Sequence, residues 1–333
     1  MITTLNEKLQ KGQDLSFEES EQAIQAIMSG QESEVDMATF LTALAEKGEQ
    51  PVEIAGAANA MRKMAKPFTK VEGAVDIVGT GGDHSNSFNI SSTTSLVLAS
   101  LGYNVVKHGN RAATSKSGAA DVLEALGINI HQDQSASEAM LKKHHFTFLF
   151  AQDYHPAMKV VAPVRSSLER RTIFNLLGPL ANPARPDSMV LGVADEKLLR
   201  PLAEVLKELG MQRANVIFGT DGLDEASISA PTKLLTVRDG QIDEQTIQPE
   251  DFGLERADKE EIIGGTAAEN ADITLSILNG ERGARRDIVV LNAGIAVNAA
   301  NPEYSIEEGI RQAEEVIDSG ETLELLKRIA EGN

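Results

Sequence analysis

Two rhythms of apolar residues divide the chain. Over the first seventy positions the spacing is helical throughout. Ser16-Phe17-Glu18-Glu19 has the form of a capping box and opens a helix with Ala23, Ile24, Ile27 and Met28 on one side. Met37, Phe40, Leu41 and Leu44 recur at helical intervals, and Gly48 supplies a stop. Pro51 stands at the first position of the next helix, whose apolar face carries Ile54, Ala58, Met61 and Met64. The stretch 66–70 reads as a linker. From residue 74 short apolar runs alternate with helical segments. Strands are expected at Val75–Val78, Val105–Lys107, Phe146–Phe150, Met189–Val193, Ala214–Phe218 and Leu234–Val237. Helices are expected at 91–101, 117–126, 135–144, 196–209, 267–280, 285–299 and 305–331. This alternation predicts an α/β fold, a mostly parallel sheet covered by helices, behind a small all-helical N-terminal domain. Residues 156–180 break the rhythm, helical and punctuated by proline, and are candidates to return to the first domain.

Composition narrows the chemistry. Among 333 residues there is no cysteine, which excludes disulfides, thiolate metal sites and a thiol nucleophile. No window approaches the ~18 apolar residues of a membrane span, and the N-terminal stretch lacks the apolar run of a signal peptide, so a cytoplasmic protein away from membranes is expected. The net charge of −19 argues against nucleic acid as a partner. That charge is unevenly spread. No Asp or Glu occurs in the 37 residues from His84 to Ala120, and Tyr154 to Pro186 holds only Glu169 against Lys159, Arg165, Arg170, Arg171 and Arg185. Two basic islands in so acidic a chain point to a seat for a polyanion.

Four segments carry candidate chemistry. Gly79-Thr80-Gly81-Gly82-Asp83 follows a strand, where bare backbone N–H groups can approach an anion; it fits neither the Walker nor the dinucleotide pattern, and alone it is equally a tight turn. Asn89-Ile90-Ser91-Ser92-Thr93-Thr94 opens the next helix, and a helix N-terminus is itself an anion site. Capping needs only one of those polar residues. The run 107–118, KHGNRAATSKSG, places Lys107 and Arg111 to neutralise phosphate among neutral donors. Asp221-Gly222-Leu223-Asp224-Glu225 is either an exposed acidic turn or, beside three polyanion elements, a seat for Mg2+.

In this order and spacing GTGGD (79–83), FNISS (88–92), KHGNR…SKSG (107–118), RTIFNLLGPLANP (171–183) and DGLDE (221–225) closely resemble the anthranilate phosphoribosyltransferases of tryptophan biosynthesis, over nearly the whole chain. The resemblance implies a homodimer. It also implies a helical domain of residues 1–68, joined by returning helices at about 164–186, and an α/β domain of residues 69–163 and 187–333. The implied reaction joins anthranilate to 5-phosphoribosyl 1-diphosphate and releases pyrophosphate, with Mg2+, two ions per site. Carried over by position, Gly79, Gly82, Asp83, Ser87, Asn89, Ile90, Ser91, Ser92, the loop Lys107, His108, Gly109, Asn110, Arg111, Ala112, Ala113, Thr114 and Ser115, and Ala119 would hold the diphosphate substrate. Ser91, Asp224 and Glu225 would hold metal, and Gly79, His108, Asn110 and Arg165 would meet anthranilate. Lys107, Asp224 and Glu225 with Mg2+ would stabilise the transition state, with no single catalytic acid or base. The chain departs from the family at His84 (usually glycine), at Ser87 and Ser92 (commonly threonine) and at Ala119 (frequently serine). Two other readings are a pyrimidine nucleoside phosphorylase-like enzyme, disfavoured by the intact DGLDE and KHGNR segments, and a nucleic-acid-binding relative, disfavoured by the charge.

Overall fold

The computed structural model describes residues 1–112 and 115–332. Four helices come first: α1 (Ile2–Gln10), α2 (Phe17–Met28), α3 (Glu34–Lys47) and α4 (Pro51–Met64). The capping box closes α2 as the sequence predicts, with Glu19 N donating to Ser16 Oγ at 3.2 Å and Ser16 N to Glu19 Oε2 at 2.8 Å.

Seven strands then form one sheet: β1 (Val75–Gly79), β2 (Val105–Gly109), β3 (Phe146–Phe150), β4 (Ser188–Gly192), β5 (Arg213–Gly219), β6 (Thr232–Arg238) and β7 (Gln241–Ile247), in the order β3-β2-β1-β4-β5-β6-β7. The first five pair in parallel, and β6 and β7 add antiparallel. Every residue of β3 and β4 is buried, as unbroken apolar runs covered on both faces require. The remaining helices are α5 (Ile90–Ser100), α6 (Ala119–Ala125), α7 (Gln134–His144), α8 (Ala151–Tyr154), α9 (Met158–Ser167), α10 (Phe174–Leu177), α11 (Leu199–Glu208), α12 (Ala267–Leu278), α13 (Ala284–Ala300), α14 (Ile306–Asp318) and α15 (Glu321–Ala330).

Two apolar cores sandwich the sheet. On one face Val75, Ile77, Phe146 and Ile217 meet α5, α6 and α12–α15; α13 is buried nearly all round, which explains why its sequence has no polar stripe. On the other face Met189, Leu191, Val216 and Leu235 meet α11, and that core continues without a break into α1–α4, α9 and α10. The proline-punctuated segment thus packs on the N-terminal helices, α9 against α2 and α3.

Two expectations need correction. Strand β7 has no apolar run to announce it: of QIDEQTI only Ile247 is buried, and the strand forms the exposed sheet edge. Its signal was the turn, Asp239-Gly240 with φ of 49° and 74°, the two-residue loop that favours hairpins. The single helix expected over 305–331 is two, broken where Gly320 takes a φ of 79°.

Candidate active site

The carboxyl ends of the parallel strands open into a cavity of about 890 Å3, the place where open α/β sheets receive ligands. Residues 78–91, 107–112, 117–119 and Ser115 line it, together with Asp224, Glu225, 169–171, Asn175 and Leu176. The glycine turn, the α5 start, the β2 loop and the acidic pair, spread over 147 positions from Gly79 to Glu225, therefore meet in one space. Ala113 and Thr114, expected in the same loop, lie outside the described residues.

Each element arrives for a local reason. Asp224 nests so tightly over the end of β4 that a Cβ at Gly192 would fall 1.6 Å from its carbonyl oxygen; only glycine permits that approach. From there its Oδ2 accepts the N–H of Gly81 at 2.7 Å, tying the acidic loop to the glycine turn. His84 adopts left-handed backbone at φ 55°, a region glycine enters without strain. Lys107 is 1% exposed, its Nζ donating to Ile77 O at 2.6 Å and Ser91 Oγ at 3.3 Å. Burial lowers its pKa, while the Asp76 and Glu225 carboxylates act to keep it charged.

The start of α5 is open. Asn89 occupies the N-cap position but its side chain makes no cap hydrogen bond. The Thr93, Thr94 and Ser95 hydroxyls turn back to the carbonyls of Asn89, Ile90 and Ser91. Ile90 N donates to Phe88 O at 2.8 Å and Thr93 N to Asn89 O at 3.1 Å, so in the first turn only the Ser91 and Ser92 N–H groups lack a backbone acceptor, with the Glu225 carboxylate beside that of Ser91.

Four expected side chains are placed differently from their expected roles. Arg111 lines the cavity, yet its guanidinium is bonded to Asp121 and Glu124 and its backbone N–H to Asn110 Oδ1 at 2.8 Å. Ser92 is buried behind the wall, its hydroxyl without a partner among the described residues. The Asn89 amide is spent on Ser117 and Asn270. Arg165, on α9, lies over the Phe174 ring at 5.5 Å and is not in the wall; Arg170 and Arg171 are, Arg170 paired with Glu46. Both wall arginines belong to the second acid-poor window, the signal that could have found them. His108 is 4% exposed, and burial with the His155 ring 5.1 Å away holds its pKa down at about 3, so it presents a neutral ring. Neither His155 nor Asp76 could be read from a motif. Asp76, on β1, is buried and held by Asn182 Nδ2 at 2.8 Å, and burial pushes its pKa up to about 6.

The acidic pair fits a divalent cation. Burial, then the Asp83 charge, raises Asp224 to about 7; burial, then Asp224, raises Glu225 to about 8. Asp83 Oδ2 is buried without a partner among the described residues. Lys107 offsets part of the charge at Glu225, but both carboxyls stay raised, as crowded carboxylates short of positive charge do. Among the described residues no group of three or more His, Cys, Asp or Glu forms a cage for metal. Mg2+ does not need one, because it usually takes one or two carboxylates and completes its shell with water and phosphate oxygens.

Fold and cavity together define a helical bundle joined to an α/β layer with a cleft at its strand ends, the two parts that glycosyl transferase family models match. A family model for the glycosyl transferase helical bundle domain matches residues 3–65, and one for the glycosyl transferase a/b domain matches residues 71–323. The anthranilate phosphoribosyltransferase of Lacticaseibacillus casei is 50% identical over 329 residues, 99% of this chain and 96% of that one. The crystal structure of the anthranilate phosphoribosyltransferase of Thermus thermophilus superposes with a TM-score of 0.93 at 42% identity, covering 98% of each chain. That of Saccharomyces cerevisiae in complex with PRPP and Mg gives 0.90 at 27%, covering 99% of this chain and 97% of its own; its complex with 4-fluoroanthranilate gives 0.89 at 26%, with the same coverage. The chain belongs to the anthranilate phosphoribosyltransferase family.

Proposed function

We infer that this chain transfers the phosphoribosyl group of 5-phosphoribosyl 1-diphosphate to the amine of anthranilate, giving N-(5-phosphoribosyl)anthranilate and pyrophosphate. The observation that carries the reading is the start of α5, without a side-chain cap, beside half-buried Asp224 and buried Glu225 in one cavity. The backbone of 79–83 and the first turn of α5 receive the diphosphate, and Lys107 sets a fixed positive charge beside them. Asp83, Ser91, Asp224 and Glu225 are the residues that would hold Mg2+, two ions per site, which when bound neutralises the diphosphate and makes it a better leaving group.

The amine of anthranilate is neutral at pH 7 and attacks the anomeric carbon as the bond to the diphosphate oxygen breaks. No strong base is required, in keeping with a neutral, buried His108. His108 and Asn110, which line the cavity, orient anthranilate, and Arg165 would meet its carboxylate by turning from the Phe174 ring into the cavity. No helix among the described residues is long and apolar enough to cross a membrane. The protein acts in the cytoplasm as a homodimer through its helical domain, residues 1–68 with about 164–186.

Loss of anthranilate fluorescence on mixing purified protein with anthranilate, 5-phosphoribosyl 1-diphosphate and Mg2+ tests the activity; no loss, with phosphorolysis of thymidine or uridine instead, would replace this reading. Arg165→Ala should raise the anthranilate KM about tenfold with the diphosphate KM unchanged. An unchanged anthranilate KM removes Arg165 from that role.

A further inference from the structure

The beginning of α12 reaches the diphosphate loops from behind. Residues 262–264 run beside 86–88: Phe88 N donates to Ile262 O at 3.1 Å and Gly264 N to Asn86 O at 2.8 Å, with Ser87 bridged to Ile263. A Cβ at position 264 would lie 2.6 Å from Phe88 Cα, so the bracing strand can approach this closely only as glycine. It braces the segment in which His84 and Asn86 hold left-handed backbone, at φ 55° and 54°. Arg285 on α13 secures the brace in turn, donating to Glu261 O at 3.0 Å and Ile263 O at 3.1 Å.

A line of amides runs inward from the brace. Gly265 N donates to Asn270 Oδ1 at 2.7 Å, Asn270 Nδ2 to Asn89 Oδ1 at 2.9 Å, and Asn89 Nδ2 to Ser117 O at 3.1 Å. Ser117 Oγ also donates to Asn89 Oδ1 at 3.1 Å. Asn270 is 2% exposed. A backbone N–H at one end and a backbone carbonyl at the other fix the polarity of both amides. Reversing either one would set donor against donor or acceptor against acceptor.

Asn89 stands where asparagine ordinarily caps a helix with its own side chain. Here that side chain is committed elsewhere. We propose that Asn270 is a positioning residue for phosphoribosyl transfer: it holds the Asn89 amide off the start of α5, keeping the Ser91 and Ser92 N–H groups free of a side-chain cap, and through Asn89 it ties loop 85–92 to loop 115–118. It acts through Asn89, and the inference rests on the diphosphate reading of the cavity.

Asn270→Ala removes both links. Asn270→Asp, assayed at pH 8, keeps the acceptor for Gly265 N and loses the donor to Asn89. Both variants should raise the KM for 5-phosphoribosyl 1-diphosphate about tenfold, with kcat and the anthranilate KM within about twofold. In an Asn89→Ala background, Asn270→Ala should add less than about twofold, because its route to the site is already gone. Titration calorimetry of the diphosphate with Mg2+ should show the same weakening. If Asn270→Ala does not fold, Asn270→Asp decides. A folded variant with unchanged diphosphate KM overturns the proposal, as does an equal loss in all kinetic parameters or a full added effect on Asn89→Ala. Wild-type protein that fails to consume anthranilate would instead overturn the reading of the cavity, and this inference with it.

Discussion

Helices α5 and α14 lie in the same layer and pack on each other, yet begin in opposite ways. At α14 Ser305 and Glu308 close the end reciprocally, Glu308 N to Ser305 Oγ at 3.1 Å and Ser305 N to Glu308 Oε2 at 2.7 Å. The α2 and α12 starts are sealed by the same device. At α5 a sequence richer in capping residues leaves the end unsealed, because Asn89 is drawn to Asn270 and the hydroxyls after Ser92 bond backward. A run of Ser, Thr and Asn therefore marks a helix start without saying whether it is closed for stability or open for a ligand. The partners decide, and those of Asn89 are distant in sequence.

The strongest way to break this contrast is to remove the charge beside the open end. Asp224→Asn with Glu225→Gln should lower kcat by at least about a hundredfold. Without Mg2+ the same variant should melt higher than wild type, since two crowded carboxylates, one half-buried and one buried, become neutral amides, and the rise in Tm that Mg2+ gives wild type should disappear. Near-normal turnover across a magnesium titration would reduce the pair to a structural turn.

Acid separates the two regions next. Glu308 has a lowered pKa through its bonds to Ser305, so its contribution is lost only as pH falls through that value, below the usual 4.5. Behind the cavity, His108 and His155 sit at about 3 and 4, held down chiefly by burial, against about 6.5 unfolded. The unfolded chain then binds more protons, and stability falls as pH drops from about 6.5 toward 4, by up to about 1.4 kcal/mol per pH unit for each histidine. Urea melts of His155→Gln should show that slope reduced by about one proton. A slope equal to wild type would mean His155 is protonated in the folded state.

The smallest effect belongs to the closed end. Ser305→Ala should cost about 1 kcal/mol, lowering Tm by about 2 °C, with kinetic constants unchanged. A change in the diphosphate KM would show that the two helix starts are coupled after all.

Residues near one another in sequence were the legible ones. The glycine turn, the α5 start and the 107–118 loop each sit at a strand end, and strand-helix alternation is enough to place them on one edge of the sheet. The acid-free window says the same in charge. What depended on a distant partner was hidden: Asn270 lies 181 residues from Asn89, Asn182 lies 106 from Asp76, and neither belongs to a local motif. Arg111 looked free because Asp121 and Glu124 come a turn later on α6, just outside the window that drew attention to it. Strand β7 was missed because an exposed edge strand has little apolar pattern to read, although its Asp-Gly turn was in plain view.

The apolar core that runs from α1–α4 through α9 and α10 into the α11 side of the sheet has a practical consequence for recombination. A crossover placed between the two family models, at residues 66–70, would look like a natural splice point and would cut through a shared interior. Arg62 of α4, 9% exposed, even donates its Nε to Leu180 O at 2.6 Å across that line. A chimera that exchanges bundles between relatives should carry 158–186 along with the first seventy residues, and should match the α4-facing side of α11.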